Sequence, residues 1–174
     1  MPNFKTRSYQ KELMDDLTLN SDALRQNLEE LSVINYWLGG NLVLKLALQR
    51  LKRQGFFKEN RTYTIADIGS GGGDNLLTLA KWFKKNGIKT QITGIDANIF
   101  MIDFAKKRCK NYPNINFQQQ NIFEPAIDKL EFDITTCSLF CHHFTDTELS
   151  TIFQQIKKIT NHYFIIWCNK LAGI

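Results

Sequence analysis

The sequence predicts an α/β protein in which helices cover both faces of a mainly parallel β-sheet. Short apolar runs rich in β-branched residues alternate with segments of helical apolar spacing over residues 62–168. Such alternation is typical of parallel strands joined by helical crossovers, and those crossovers are right-handed in almost all known sheets. We therefore expect the strand order 3-2-1-4-5, with a ligand at the carboxyl ends of strands 1 and 4.

The first third of the chain is predicted to be helical only. Leucine-rich stripes of helical spacing begin at Leu13, Leu24 and Leu44. We expect residues 1–58 to form a helical N-terminal extension, and residues 59–174 to form the sheet domain. The extension could cover the ligand site as a lid, or it could only pack against the sheet.

The sheet domain contains eight predicted elements after the extension. Turn and cap residues mark their limits, since Asn98 starts one helix and Thr145 with Glu148 forms a capping box at another. The predicted helices span residues 74–86, 98–110 and 146–159. The predicted strands span residues 62–68, 90–96, 115–120, 131–138 and 162–168.

A glycine-rich turn joins the first strand to its crossover helix, and it is the most informative segment. Glycines let a ligand lie against bare backbone at the start of the helix. A phosphate-binding loop needs a Lys-Ser/Thr pair where this chain has Asp74-Asn75. The dinucleotide fingerprint fits Gly69 and Gly71, but its last position falls on Asp74, whose carboxylate would repel a pyrophosphate. With Asp67, this favours a ligand that carries positive charge.

The stretch from Asp67 to Gly73 matches in full the motif Asp/Glu-x-Gly-x-Gly-x-Gly. In this motif the chain resembles the class I S-adenosylmethionine-dependent methyltransferases, and the resemblance extends from Arg61 to about Cys168. It implies a Rossmann-like three-layer α/β/α fold and S-adenosyl-L-methionine as cofactor. The cofactor-binding residues that it implies are Asp67, Gly69, Ser70, Gly71, Gly73, Asp96, Ala97, Asn121, Ile122 and Ser138.

Two of these residues have roles that the resemblance specifies. Asp96 ends the second strand, where the family places an acid that binds both ribose hydroxyls. An ionised carboxylate only accepts hydrogen bonds, so one such group can receive both hydroxyl hydrogens. Asn121 stands where the family has an aspartate that contacts the adenine amino group, and the replacement keeps an acceptor oxygen.

Two histidines follow the fourth strand, in the part of the family fold that passes close to the methionine part of the cofactor. Methyl transfer depends on alignment, and a base is needed only when the acceptor must lose a proton. His142 and His143 are the candidate bases; alternatively they only shape the pocket. With Cys137 and Cys141 they could also suggest a metal site. We predict no metal, because zinc sites more often show closely spaced cysteine pairs in turns.

Composition restricts the class and the compartment. The 174 residues are 43% hydrophobic and 22% charged, and no run is long enough to span a membrane. We expect no signal peptide, because Met1 to Gln10 has no apolar core. The four cysteines show no disulfide-framework spacing, so we expect a cytoplasmic protein. The net charge of +5 comes largely from lysine clusters such as Lys106 to Lys110, which we expect to face solvent. We therefore predict a small-molecule methyl acceptor and no nucleic acid.

The end of the chain departs from the family pattern. The family adds a sixth and an antiparallel seventh strand, whereas only Asn169 to Ile174 follow the fifth strand here. We expect strands 6 and 7 to be absent and residues 162–168 to form an exposed apolar edge, which is a pairing liability. This favours either a C-terminally truncated chain or a homodimer that covers the edge.

These observations lead to one main hypothesis and two alternatives. The main hypothesis is an S-adenosylmethionine-dependent methyltransferase that acts on a hydroxyl or phenolic group of a small molecule. A non-catalytic S-adenosylmethionine-binding protein or fragment is the first alternative. An NAD-dependent oxidoreductase is the second, and Asp67 and Asp74 disfavour it.

Overall fold

The computed structural model describes residues 40–167. The helices are α1 (Gly40–Arg53), α2 (Asp74–Lys85), α3 (Ile99–Cys109) and α4 (Asp146–Ile159). The strands are β1 (Thr62–Ile68), β2 (Lys89–Asp96), β3 (Ile115–Gln119), β4 (Phe132–Ser138) and β5 (Thr160–Trp167). The predicted helices that begin at Leu13 and Leu24 lie outside the described residues, as does Cys168.

The five strands form one sheet in the order β3-β2-β1-β4-β5, and every neighbouring pair is parallel. The predicted α/β class and strand order are therefore confirmed. Asp67 of β1 lies opposite Gly94 of β2 and Thr136 of β4. This register brings the carboxyl ends of the three central strands to one edge of the sheet, where the glycine turn leaves β1.

Two apolar clusters pack on opposite faces of the sheet, because side chains alternate along each strand. One cluster joins α1 and α2 to Tyr63 and Ile65 of β1. The other joins α4 to Ala66 and Ile68 of the same strand. These clusters give the three layers that the sequence predicts.

The helix α1 belongs to the core of the sheet domain, although it lies within the predicted extension. Leu44, Leu48 and Leu51 are buried in the same cluster as Tyr63. The Lys52 ammonium donates a hydrogen bond of 2.7 Å to the Asn86 side chain, at the end of α2. The last turn of α1 therefore lies beside the end of α2. With 14 residues, α1 is about 21 Å long, which is close to the height of the sheet.

The short helices and the start of β5 differ from the prediction. Short 3₁₀ helices, Pro125–Lys129 and Cys141–His143, interrupt the loops on either side of β4. The strand β5 starts two residues early, at Thr160, directly after α4. No helix among residues 40–167 combines the length and the apolar character that crossing a bilayer requires.

Candidate cofactor site

The glycine turn after β1 adopts a backbone that favours glycine. Gly69 and Gly71 have φ angles of 65° and 47°, in the left-handed region. The Gly69 and Ser70 amides both donate to the Ile95 carbonyl of β2, at 2.9 and 3.1 Å. A Cβ added at Gly71 would meet no atom within 4 Å. The turn is thus tied to β2 and leaves open space beside Gly71.

A cavity of about 400 Å³ lies against this turn, at the carboxyl edge of the sheet. Its volume falls within the range typical of small-molecule sites. The ends of β1 and β2 and the loops after β3 and β4 supply its walls. The sequence-predicted residues that line it are Gly69, Gly71, Asp96, Ala97, Asn121, Ile122 and His143.

Asp96 presents a fixed carboxylate to the cavity. Its Oδ2 atom accepts a hydrogen bond of 2.9 Å from the Gly71 amide, and its Oδ1 atom accepts one of 2.9 Å from the Asn98 amide. Burial raises the pKa of this carboxyl, while the Asn98 and Gly71 amides, and the nearby His143, act in the opposite direction. The Ala97 amide also stabilises the charged form. Because an ionised carboxylate has about four lone-pair sites, the group can still accept a hydrogen bond from a ligand.

Asp67 lies in β1 and is fully buried beside the cavity rather than in its wall. Thr136, which lies opposite Asp67 on β4, donates a hydrogen bond of 2.6 Å to the Asp67 Oδ1 atom. The Oδ2 atom makes no hydrogen bond of normal geometry among the described residues. Burial raises the pKa of this carboxyl from 3.8 to about 7, although the Thr136 bond and the nearby Asn75 side chain lower it. Asp67 therefore gains or loses a proton near neutral pH.

The other implied residues that do not line the cavity are Ser70, Gly73, Ser138 and His142. Ser70 is buried, and Gly73 faces α3. Ser138 is half-buried at the end of β4. His142 is exposed and stacks on His143, with ring centroids 4.0 Å apart. Of the two histidines, only His143 contributes to the cavity wall.

Aromatic side chains that the sequence analysis missed form one wall of the cavity. The Phe140 ring packs directly on Gly69, where a Cβ would overlap it. The Phe144 ring lies 4.7 Å from Phe140 and 5.7 Å from Phe123, centroid to centroid. Leu139 precedes Phe140 with a φ of 55°, which is unusual for a residue with a side chain. In the sequence, the signal for this wall is the apolar pair Leu139-Phe140 directly after a strand. Such a pair cannot be told apart from a strand that continues into the core.

The charges in the cavity wall correct one argument from the sequence. Asp74 does not line the cavity, because its Oδ1 atom accepts a hydrogen bond of 2.6 Å from Arg108. Its negative charge is therefore paired outside the site and does not repel a pyrophosphate there. Arg108, expected to face solvent, has a side chain only 28% exposed. The acidic residues that do line the cavity are Asp96 and Glu148, and no lysine or arginine among the described residues joins them.

The cysteines beside the site do not form a recognisable metal centre. The sulfur atoms of Cys137 and Cys141 lie 3.9 Å apart, and both side chains are buried. Within residues 40–167, no group of three or more potential ligands is placed to hold a metal ion.

Comparison with known proteins defines the class. Two solved structures share the fold over most of the chain. Magnesium protoporphyrin IX methyltransferase from Synechocystis, with bound S-adenosylmethionine, superposes with a TM-score of 0.59 at 16% identity, covering 92% of this chain and 72% of that one. A candidate S-adenosyl-L-methionine-dependent methyltransferase from Methanococcus maripaludis gives 0.58 at 20% identity, covering 83% and 63%. The fold is that of the Rossmann-like methyltransferases.

Sequence comparison assigns the family. The family model for the methyltransferase domain matches residues 65–162. An uncharacterised methyltransferase of Bacillus subtilis, YcgJ, is 26% identical over 58% of this chain, and the chain spans 41% of that relative's length. The chain belongs to the class I S-adenosylmethionine-dependent methyltransferase family, which confirms the resemblance found in the sequence.

Proposed function

We propose that this chain binds S-adenosyl-L-methionine in the cavity beside the glycine turn and transfers its methyl group to a small molecule. The observation that carries the proposal is the Asp96 carboxylate, held by the Gly71 and Asn98 amides in the cavity wall. Family membership supports the same ligand.

The residues present fit this cofactor. Asp96 would accept hydrogen bonds from the ribose hydroxyls, and Gly69 and Gly71 would offer bare backbone beside them. The Asn121 side chain would face the adenine, although its Oδ1 atom already accepts a hydrogen bond of 3.1 Å from the Phe123 amide. One free lone pair remains on that oxygen for the adenine amino group.

The charge of the cavity wall also suits the cofactor. S-adenosyl-L-methionine would supply an electrophilic methyl group on a positive sulfonium. The acidic residues that line the cavity are Asp96 and Glu148. This arrangement favours a cationic ligand over the pyrophosphate of a dinucleotide. It therefore disfavours the NAD-dependent alternative for a reason independent of Asp74.

For the acceptor we propose a hydroxyl or phenolic group, with His143 as the base. His143 lines the cavity, whereas His142 is exposed. A bond would form between the acceptor oxygen and the methyl carbon as the bond from carbon to sulfur breaks. The hydroxyl proton would pass to the His143 imidazole, since histidine is the side chain that most often acts as a general base.

Replacing each of the two histidines separately by alanine tests this assignment. With a panel of phenols, His143→Ala should lower the methylation rate by roughly 10²-fold or more, as expected for loss of a general base. His142→Ala is the matched control and should leave the rate nearly unchanged. Equal losses in both variants would contradict the role of His143.

We also propose that residues 1–39 cover the cavity as a lid. The leucine-rich stripes that begin at Leu13 and Leu24 in this segment motivate the proposal. Removal of the segment should weaken binding of S-adenosylhomocysteine; unchanged affinity would contradict the lid. We further propose a homodimer formed through β5 and a cytoplasmic location; for the location, support comes from the spacing of the cysteines in the sequence, which is not that of a disulfide framework. Cell fractionation tests the location.

A further inference from the structure

The glycine turn has a second side, which faces away from the cavity and packs against α3. A Cβ at Gly72 would lie 3.2 Å from the Arg108 guanidinium. One at Gly73 would lie 3.2 Å from both Ala105 and Cys109. The last two turns of α3 therefore brace the outer side of the turn, while Gly69 and Gly71 form its inner side.

Arg108 makes two charge-assisted hydrogen bonds in this brace. One guanidinium nitrogen, Nη1, donates to the Gly72 carbonyl at 2.9 Å, and the other, Nη2, donates to the Asp74 carboxylate at 2.6 Å. The Arg108 and Asp74 side chains are only 28% and 27% exposed. Charge-assisted bonds of this length are stronger than bonds between neutral groups. A single planar fork thus joins the middle of the turn to the first residue of α2.

The position of this fork has a consequence inside the cavity. Gly72 follows Gly71, whose amide donates a hydrogen bond of 2.9 Å to the Asp96 Oδ2 atom. If the Gly72 carbonyl were released, the turn could rotate and carry the Gly71 amide away from Asp96. Arg108 itself does not line the cavity. Its effect on a ligand therefore passes through the turn.

We infer that Arg108 is a positioning residue for the cofactor, acting from outside the cavity by holding the glycine turn in the conformation in which Gly71 binds Asp96. The inference rests on the proposed function for its ligand, but the restraint on the turn exists without one. It also gives Asp74 a role, as the anionic anchor that keeps the guanidinium in place.

Calorimetric titration with S-adenosylhomocysteine tests the effect on binding. Arg108→Met should weaken binding by roughly tenfold, the loss expected when charged hydrogen bonds are removed. Arg108→Lys should also bind S-adenosylhomocysteine more weakly than the wild type, because one ammonium does not reproduce the planar guanidinium with its two donors. The matched control is Lys107→Met, which removes the same charge from an exposed neighbour on α3 and should bind like the wild type.

Amide hydrogen exchange of the ligand-free protein gives a readout that a general loss of stability would not mimic. Arg108→Met should speed exchange at Gly71 while leaving Ile95, in the core of β2, unchanged. Faster exchange at both positions would indicate a merely structural role and would overturn the inference. Unchanged affinity together with unchanged exchange at Gly71 would overturn it as well.

Two further outcomes remain informative. If the wild type does not bind S-adenosylhomocysteine, the proposed function fails, and exchange at Gly71 still decides the role of Arg108. If Arg108→Met does not fold, Asp74→Ala tests the other end of the fork, because it removes the oxygen that accepts the bond from Arg108. It should also speed exchange at Gly71, and an unchanged rate there would overturn the inference.

Discussion

Two aspartates at neighbouring strand ends have similar places in the sequence but different surroundings in the structure. Asp96 lies in the cavity wall, whereas Asp67 is fully buried and accepts a hydrogen bond from Thr136. The motif predicts both as cofactor contacts. The difference arises from the pairing of β1 with β4, which joins residues far apart in the chain, and the local sequence carries no signal for it.

The buried state of Asp67 predicts how stability depends on pH. Its carboxyl has a pKa of about 7 in the fold, against 3.8 as the ordinary value. Between these values the folded protein keeps a proton that the unfolded chain has lost, so stability falls as pH rises towards 7. The loss is on the order of 4 kcal/mol at most.

Replacement by a neutral isostere tests this prediction. Asp67→Asn removes the titrating group. The free energy of unfolding of this variant minus that of the wild type, both measured in urea, should therefore be larger at pH 8 than at pH 5. Thr136→Val removes the bond that favours the ionised form and should be more destabilising at pH 8 than at pH 5. A stability difference for Asp67→Asn that is the same at both pH values would contradict the burial effect.

At the scale of elements, α1 shows both what a helical pattern predicts and what it leaves open. Leucine spacing predicts the helix, but it does not show which leucines contact the sheet. Leu48 is fully buried, whereas Leu46 is 59% exposed. The two 3₁₀ helices beside β4 escaped prediction because segments of three to five residues have no detectable periodicity.

The contribution of α1 to stability can be measured with a matched pair of leucines. Leu48→Ala should lower the free energy of unfolding by about 2–5 kcal/mol, because it leaves a cavity in the core. Leu46→Ala removes the same atoms from an exposed site and should change it by less than about 0.5 kcal/mol. Equal effects of the two substitutions in urea unfolding would show that α1 does not pack as described.

For the whole molecule, the sheet order and the edge that holds the site follow from the rules for parallel sheets and right-handed crossovers. The positions of the glycine turn and Asp96 at this edge were therefore predictable from the sequence. The aromatic wall around Phe140 and the brace from Arg108 were not, because each depends on side chains from loops and helices that meet only in the folded chain.

The outer strand of the sheet predicts association. Among the described residues β5 pairs only with β4, and Tyr163 and Ile166 are 37% and 39% exposed. An uncovered apolar edge favours pairing with another strand. Light scattering should therefore give a dimer for the wild type and a monomer for Ile166→Lys, since charge on an edge opposes pairing. A wild-type monomer at all concentrations tested would contradict the proposed dimer.

The central claim is that the cavity beside Asp96 binds S-adenosylmethionine. Calorimetric titration with S-adenosylhomocysteine tests it most directly, using the wild type, Asp96→Ala and, as a control, Asp103→Ala, whose carboxylate on α3 is 59% exposed. The account predicts saturable binding by the wild type and the control, and binding at least roughly tenfold weaker for Asp96→Ala. No binding by the wild type, or equal binding by Asp96→Ala, would contradict it.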